Sequence, residues 1–438
     1  MFLFGSAVFI FFYSFFFNIQ VPPVIMFLFF FQWFFNMGQL IYALRDGLSL
    51  AKSFQPGGTI ETVYYLGMIG TASFFLGVLF FYRKIKVYSF EAFRQAALQF
   101  NVDRLLFVFL ASYPVLGAAL STIWLFPGVT QPLIMLLYFK WSLFFLLFIS
   151  VFMHNKYKGI LLGIILFEFV MGFASFWATF KDVVYASFIG YWILYFKGNV
   201  FVRWTLPAII LLMVYIGSLW SVIKQDYRGF LNAGRGGQGT FVSRGEALDR
   251  FTDMVVSASP KDLEVGFDAL VLRMSWIGAF NKVYNYVPSK VPHEDGQLWT
   301  SAVIRPFTPR LFFPEKSRLS DSQELNFYSG LNVEEENTSI SLSTIAGSYV
   351  DYGPWGMHVP LLLFGVFFGW IYKKIFDMSA NFLIAHSLSI PLIFLVNINE
   401  QSINRMVSSL VLYLLVLWFI CKFLQKPFLR IVARTPIV

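Results

Sequence analysis

The sequence predicts an all-α polytopic membrane protein, with about eleven transmembrane helices and one large outer loop containing amphipathic helices. Three observations predict it. Apolar residues make up 58% of the chain and charged residues only 13%, against ~45–50% and ~25% in soluble domains. The apolar residues come in runs such as MFLFGSAVFIFFYSFFF and LLLFGVFFGWIY, which have the length and polarity that a ~30 Å hydrocarbon core requires of a helix. These runs are apolar on every face and show no period-two alternation, which favours helices over a barrel.

In chain order, the expected spans cover roughly 1–17, 22–44, 62–82, 105–126, 132–153, 160–180, 183–196, 204–222, 357–372, 382–398 and 406–421. Segment 183–196 is short for a span, and residues 1–44 read as a hairpin turning at Asn18–Gln20. Met1 enters the first apolar run with no positive segment before it, so no cleavable signal peptide is expected.

Orientation follows from the short loops. One set holds Arg83, Lys84, Lys86, Arg94, Arg104, Lys156, Lys158, Lys197, Arg203, Lys373 and Lys374, and the tail adds Lys422, Lys426, Arg430 and Arg434. The opposite set holds only Arg45, Lys52, Lys181 and Arg405. Basic loops stay cytoplasmic. The alternation therefore gives an N-terminus outside, a cytoplasmic C-terminus and residues 223–356 outside. Three regions result. Residues 1–222 form an N-terminal bundle of about eight helices, 223–356 the large loop, and 357–438 about three further helices with a cytoplasmic tail.

Within the loop, Leu248, Phe251, Met254 and Val255 recur at helical spacing over 245–258. So do Leu270, Val271, Met274, Trp276 and Ile277 over 263–287. Both stretches read as amphipathic helices lying on the membrane or the bundle. GRGGQG is a flexible turn, and the prolines of VPSKVPHEDG break regular structure.

Several chemistries are disfavoured. A single cysteine, Cys421, excludes an intramolecular disulfide and any Cys-based metal cluster. The net charge of +9 is scattered over short inter-helix loops, so membrane topology explains it and nucleic acid is not an expected partner. His293-Glu294-Asp295 lacks helical ligand spacing, and no metal or cofactor is expected. There is no Walker loop, G-x-S-x-G or H-E-x-x-H motif. Gly365 and Gly369 form a GxxxG pair, a signal of close helix packing. Lys140 and Glu168 fall inside neighbouring antiparallel spans at similar depth, which predicts a structural ion pair.

The residues that could carry chemistry lie on the outer side. IRPFTPRLFFPEKSR groups Arg305, Arg310, Lys316 and Arg318 between stiffening prolines, and guanidinium forks suit phosphate or diphosphate oxygens. Headgroup binding is the plainer account of the same cations. Phe312 and Phe313 would seat this segment against the bilayer or the bundle. Asp351, His358 and Glu400 are the nearby groups able to take a proton, and structural roles fit each of them as well. Arg405 faces the same side as Glu400, as a rim salt bridge with it would require. Lys181 opens the outer end of a helix, where snorkelling accounts for it equally well.

After the loop, a Ser/Thr-rich run leads through Tyr349, Tyr352, Gly353 and Gly356 into the next span. This resembles the Wzy-type oligosaccharide repeat-unit polymerases, which share an aromatic followed by (F/Y)-G-x-x-G at the end of one large periplasmic loop. A P-R-x-x-x-P-x-K element also matches, at Pro309, Arg310, Pro314 and Lys316. The motif likeness covers about 60 residues, and the likeness in architecture most of the chain. One departure stands out. Relatives often carry Gly-Glu before the aromatic, and here Gly347-Ser348 stands there, so any base must lie elsewhere.

The resemblance implies an inner-membrane glycosyltransferase of O-antigen or exopolysaccharide biosynthesis. It would move a glycan from undecaprenyl diphosphate to a hydroxyl of another lipid-linked repeat unit, with membrane lipids around it. The resemblance adds Lys181 to the substrate-binding cations Arg305, Arg310, Lys316 and Arg405. Two alternatives remain: an O-antigen ligase, and a non-enzymatic flippase or exporter of lipid-linked oligosaccharide. The flippase reading lacks the repeated halves and broken helices typical of transporters. Neither the sugar and its linkage nor the binding of a chain-length regulator is legible in the sequence.

Overall fold

The computed structural model describes residues 1–17, 23–45, 47, 50, 59–122, 130–174, 179–195, 200–234, 240–274, 276–308, 312–313, 321–332 and 340–434. Among the described residues the regular structure is helical, and the one extended pairing is a single antiparallel bridge between Phe100 and Ala433.

Each predicted span contains a helix. In order these are α1 (Phe2–Phe16), α2 (Val24–Arg45), α3 (Ile60–Tyr82) and, after the short α4 (Phe90–Leu98), α5 (Val102–Thr122). Next come α6 (Thr130–His154), α7 (Lys158–Phe173), α8 (Phe180–Tyr195) and α9 (Val200–Leu231). The loop carries α10 (Arg244–Ser257), α11 (Pro260–Met274), α12 (Ile277–Tyr286), α13 (Gln297–Ile304) and α14 (Asp321–Ser329). It continues into α15 (Thr344–Gly356), which leads to α16 (His358–Met378). The chain ends with α17 (Phe382–Ser389), α18 (Leu392–Leu395), α19 (Ile403–Phe419) and α20 (Gln425–Val432).

Seven helical stretches among the described residues are long and apolar enough to cross a membrane: Val24–Leu44, Ile60–Tyr82, Val102–Ala119, Thr130–His154, Pro207–Leu231, His358–Met378 and Ile403–Val432. The chain is therefore an all-α, membrane-embedded protein. α1, α7, α8 and the α17–α18 pair are shorter. Large apolar side chains such as Phe107, Leu166 and Leu211 project outward from the bundle, a surface that acyl chains cover.

The tightest helix pair is α3 with α16. Residues 70, 74 and 78 of α3 meet 361, 365 and 369 of α16, so the two run parallel. The Gly365–Gly369 pair forms the contact, as its spacing predicts. α1 and α2 form the expected hairpin, with Phe9 against Trp33 and the Trp33 indole donating to the Gly5 carbonyl at 2.8 Å. Their connecting turn, 18–22, lies outside the described residues.

At one end of the bundle the basic segments meet. Asn101 N donates to the Val432 carbonyl (2.7 Å), Arg434 N to the Gln99 carbonyl (2.8 Å), and Lys156 pairs with Asp103 (2.7 Å). The loop helices gather at the other end.

Two loop expectations need correction. The stretch 263–287 is two helices, α11 and α12, with Trp276 in a turn at the head of the second. Residue 222, taken as the end of a span, lies inside the continuous 32-residue α9, and α11 packs along α9 at Gly217–Ser218 beneath Gly266 and Leu270. α10 docks nearby through Tyr227, whose hydroxyl donates to the Phe173 and Ala247 carbonyls. Both helices thus lie on the bundle. GRGGQG falls mostly outside the described residues.

The predicted Lys140–Glu168 pair forms, and Tyr113 donates its hydroxyl to the same carboxylate. The Lys140 ammonium also sits 4.8 Å from the Tyr113 ring centroid and 5.0 Å from that of Trp141. A charge stranded in hydrocarbon is costly, so breaking the pair costs more than deleting it. Lys140→Met and Glu168→Gln are each expected to lower folded protein in the membrane severalfold, and the double change to recover part of it. Quantitative immunoblotting of monodisperse, detergent-extracted protein checks this. Normal abundance with lost function would instead place the charges in a working cavity.

Candidate functional site

The site is built around α15. Ser343 caps it, accepting a hydrogen bond from Ala346 N, and residues 344–351 are buried without interruption. Ile345 lies beside Gly70, ten residues along α3 from Ile60 and therefore ~15 Å down the helix. α15 is thus sunk into the mouth of the bundle. The turn between α18 and α19 forms its floor: Ile345 N donates to the Ile398 carbonyl (3.3 Å) and Thr344 Oγ1 to the Gln401 carbonyl (2.8 Å).

The motif residues shape the exit from this helix. Tyr349 is buried, donates to the Val287 carbonyl at 2.7 Å and packs on Phe280, Tyr284 and His293. Gly353 takes φ 69°, ψ −173°, a conformation essentially reserved for glycine, and turns the chain towards α16. Tyr352 and Trp355 stay exposed at the rim.

Asp351 is almost fully buried, and its carboxylate accepts from Leu298 N (3.1 Å) and Trp299 N (2.9 Å). It supplies from a distance the cap that Gly296 lacks for α13. Burial raises its pKa and the backbone amides pull it down, leaving it above the ordinary value. Trp299 adds a bond from its indole to Ser348 Oγ at 3.0 Å. His293 Nδ1 lies 3.0 Å from the Val350 carbonyl, which can only accept, so that nitrogen carries a proton and Nε2 is left facing Gly353.

Beside this scaffold is a mixed-charge cluster. Arg405, in the first turn of α19, pairs with Asp321 at 3.2 Å, and Ser402 Oγ donates to the same carboxylate at 2.9 Å. The rim salt bridge between Arg405 and Glu400, the plainer alternative to substrate binding, is not formed among the described residues. Glu400 instead accepts from Asn397 Nδ2 at 2.7 Å. Glu324 follows Asp321 on α14 by one turn. Burial pushes its carboxyl up to about 7, neighbouring Asp321 and Asp351 add to this, and Arg305 opposes it. Tyr328, a further turn along, donates to Glu294 at 3.0 Å.

The predicted residues therefore separate. Arg305, Arg405 and Asp351 come together around α13–α15. Glu400 lies in the floor turn. His358 opens α16 and is partly buried. Lys181 is exposed in the first turn of α8, which packs on α6 and α7. Arg310, Lys316 and Arg318 lie outside the described residues; of the same segment, Phe312 and Phe313 are exposed, so neither ring is packed into the bundle. No group of three or more His, Cys, Asp or Glu able to hold a metal ion occurs among the described residues.

The comparison with family models matches residues 28–431 to Domain of unknown function (DUF8712). The chain belongs to the DUF8712 family. The comparisons with curated proteins and with solved structures match nothing. The DUF8712 match runs from α2 to α20 and so takes in bundle, loop and site together.

Sequence reasoning missed Asp321 and Glu324 in this DUF8712 chain, and weighed His293 only as a metal ligand. Asp321, Glu324 and Tyr328 recur at i, i+3 and i+7 in DSQELNFYS, a face that the spacing alone could have exposed. Glu324 predicts a pH dependence. A carboxyl raised in the folded state binds a proton that the unfolded chain has released, so stability falls as pH rises from its ordinary value through about 7. Glu324→Gln is expected to flatten that slope and to be the more stable form above neutral pH, by on the order of 2 kcal/mol. Thermal unfolding in detergent between pH 4.5 and 8 checks it.

Proposed function

We propose that this DUF8712 protein is a lipid-linked oligosaccharide polymerase. It transfers a glycan from undecaprenyl diphosphate to a hydroxyl of a second lipid-linked repeat unit at the outer face of the bacterial inner membrane. One observation carries the reading: two guanidinium groups about 100 residues apart in sequence, Arg305 and Arg405, share a cluster with a carboxyl poised near neutral pH, Glu324. Glycosyl transfer uses both features. The bond from the anomeric carbon to the diphosphate oxygen breaks, the bond to the acceptor oxygen forms, and the acceptor proton goes to a base. Arg305 and Arg405, together with Arg310 and Lys316, would hold the departing diphosphate, and Glu324 would take the proton. Asp351 then serves to fix α13 and, through it, Arg305.

In this reading the chain crosses the membrane eleven times, with 223–356 periplasmic and the basic end cytoplasmic. A reporter active only outside the cytoplasm should be active when fused at Gly296 and silent at Ala96; the reverse pattern overturns this topology. The function is tested by gene deletion and a polysaccharide gel. Loss of polymer with a surviving single-unit band supports the polymerase. Loss of every capped form points to ligation or export and overturns it.

A further inference from the structure

α13 and the turn after it lie where a water-facing loop would not. The α13 face turned to the protein carries Trp299 and Ala302, and the Trp299 ring sits 5.4 Å from that of Phe364. Phe364 is six residues inside α16, a depth of ~9 Å from His358. The 21 residues of α16 span ~31 Å, the full thickness of a hydrocarbon core. α13 also packs against α19, a second apolar span.

The outward face changes character along the helix. Gln297, Thr300 and Ser301 are exposed over the first five residues. Val303 and Ile304 are exposed at the end, 52% and 54%, and Phe307 follows at 73%. Val359 and Leu363, on the same span that Trp299 packs against, are exposed apolar residues as well. Arg305 lies within the apolar stretch 303–307 in sequence and is close enough to Glu324 to act on it electrostatically.

We propose that Val303, Ile304 and Phe307 are seated in the acyl chains of the leaflet on the loop side, making α13 and the Arg305–Phe307 turn a membrane-inserted arm. The occupant of this surface is lipid. The packing of α13 on two membrane-length helices, with Trp299 against Phe364 well inside α16, argues for it, and so does the chemistry of the arm, with apolar side chains outward and a cation at its edge where phosphate headgroups lie. The inference rests on membrane embedding and not on glycosyl transfer. It also gives Arg305 a location, at the boundary where a lipid-borne phosphate would emerge.

Cys421 is the only cysteine, so a Cys421→Ser background allows single-site labelling. Ile304→Cys and Phe307→Cys, carrying an environment-sensitive fluorophore, are placed in nanodiscs of phosphatidylethanolamine and phosphatidylglycerol. Thr252→Cys on the exposed face of α10 is the aqueous control. Lipid bearing a spin label on its acyl chain is expected to quench both arm positions at least threefold more than Thr252→Cys, and aqueous iodide to do the reverse. Iodide quenching of the arm equal to the control would place it in water and overturn the inference. Protection from both quenchers would mean that protein covers the patch, which overturns it equally. If Phe307→Cys is not monodisperse, Val303→Cys replaces it.

Discussion

Gly365→Ala is expected to remove most of the folded protein from the membrane. A Cβ added at Gly365 would lie 1.9 Å from the Phe74 carbonyl oxygen, and one at Gly77 2.1 Å from the Leu362 oxygen. Both obstacles are backbone atoms inside regular helices, so no side chain can swing aside. Relief requires α3 and α16 to separate by an ångström or more along their contact. Separation opens gaps beside Leu361, Phe364 and Phe368, all buried, and the close-packed interior loses those contacts. Overpacking usually costs about 1–3 kcal/mol, and a backbone-to-backbone clash belongs at or above the top of that range. Membrane helices lack a hydrophobic force to hold them together, so close packing is a larger share of what joins this pair. Gly163→Ala is the matched control. Nothing lies within 4 Å of the Cβ it would add, and alanine favours a helix by up to ~1 kcal/mol. The measurement is the yield of monodisperse protein and its midpoint of thermal unfolding. A wild-type yield from Gly365→Ala would contradict the parallel α3–α16 packing.

The parts that the sequence disclosed are those whose physics is local or periodic. Apolar runs had to become helices because lipid offers the backbone no other partner. Lys140 and Glu168 were legible because two antiparallel helices joined by a short turn fix relative depth. GxxxG was legible because small residues one turn apart mean close approach. The site was legible only in part. Arg305 and Arg405 announced themselves by residue type, but Asp321 was hidden. Its partner Arg405 is 84 positions away, across a segment that has to fold back over the floor turn before the two can meet. Asp351 was picked out for its carboxyl, whereas its geometry is that of a cap for a helix some fifty residues earlier. Glu324 shows in the sequence only as one member of the Asp321–Tyr328 helical face, which says nothing of its protonation. Its unusual protonation comes from burial and from neighbours that only the tertiary structure supplies.

The remaining prediction bears on function. Arg305→Ala is expected to lower polymerisation about a hundredfold, the usual result of removing one preorganised donor to a developing negative charge. The leaving diphosphate gains charge as the glycosidic bond breaks, so a cation beside it stabilises the transition state more than the ground state. Arg305→Lys keeps the charge and loses the bidentate fork, and partial activity is expected. Arg405→Ala should fall between them. Arg405 already shares its charge with Asp321, and its side chain is 56% exposed, which weakens its field through solvent screening. A second readout separates chemistry from mere structure. Arg305 holds the Glu324 carboxyl below where burial alone would put it. Removing the cation therefore moves Glu324 upward. If Glu324 takes the acceptor proton, activity rises with pH through its titration, and in Arg305→Ala that rise is displaced to higher pH. A purely structural arginine would lower activity at every pH without moving the profile. Polymer length in a deletion strain, and initial rates in nanodiscs from pH 5.5 to 8.5, measure the two effects. Normal polymer from Arg305→Ala at normal abundance would overturn the diphosphate assignment and leave Arg305 as a contact for lipid headgroups.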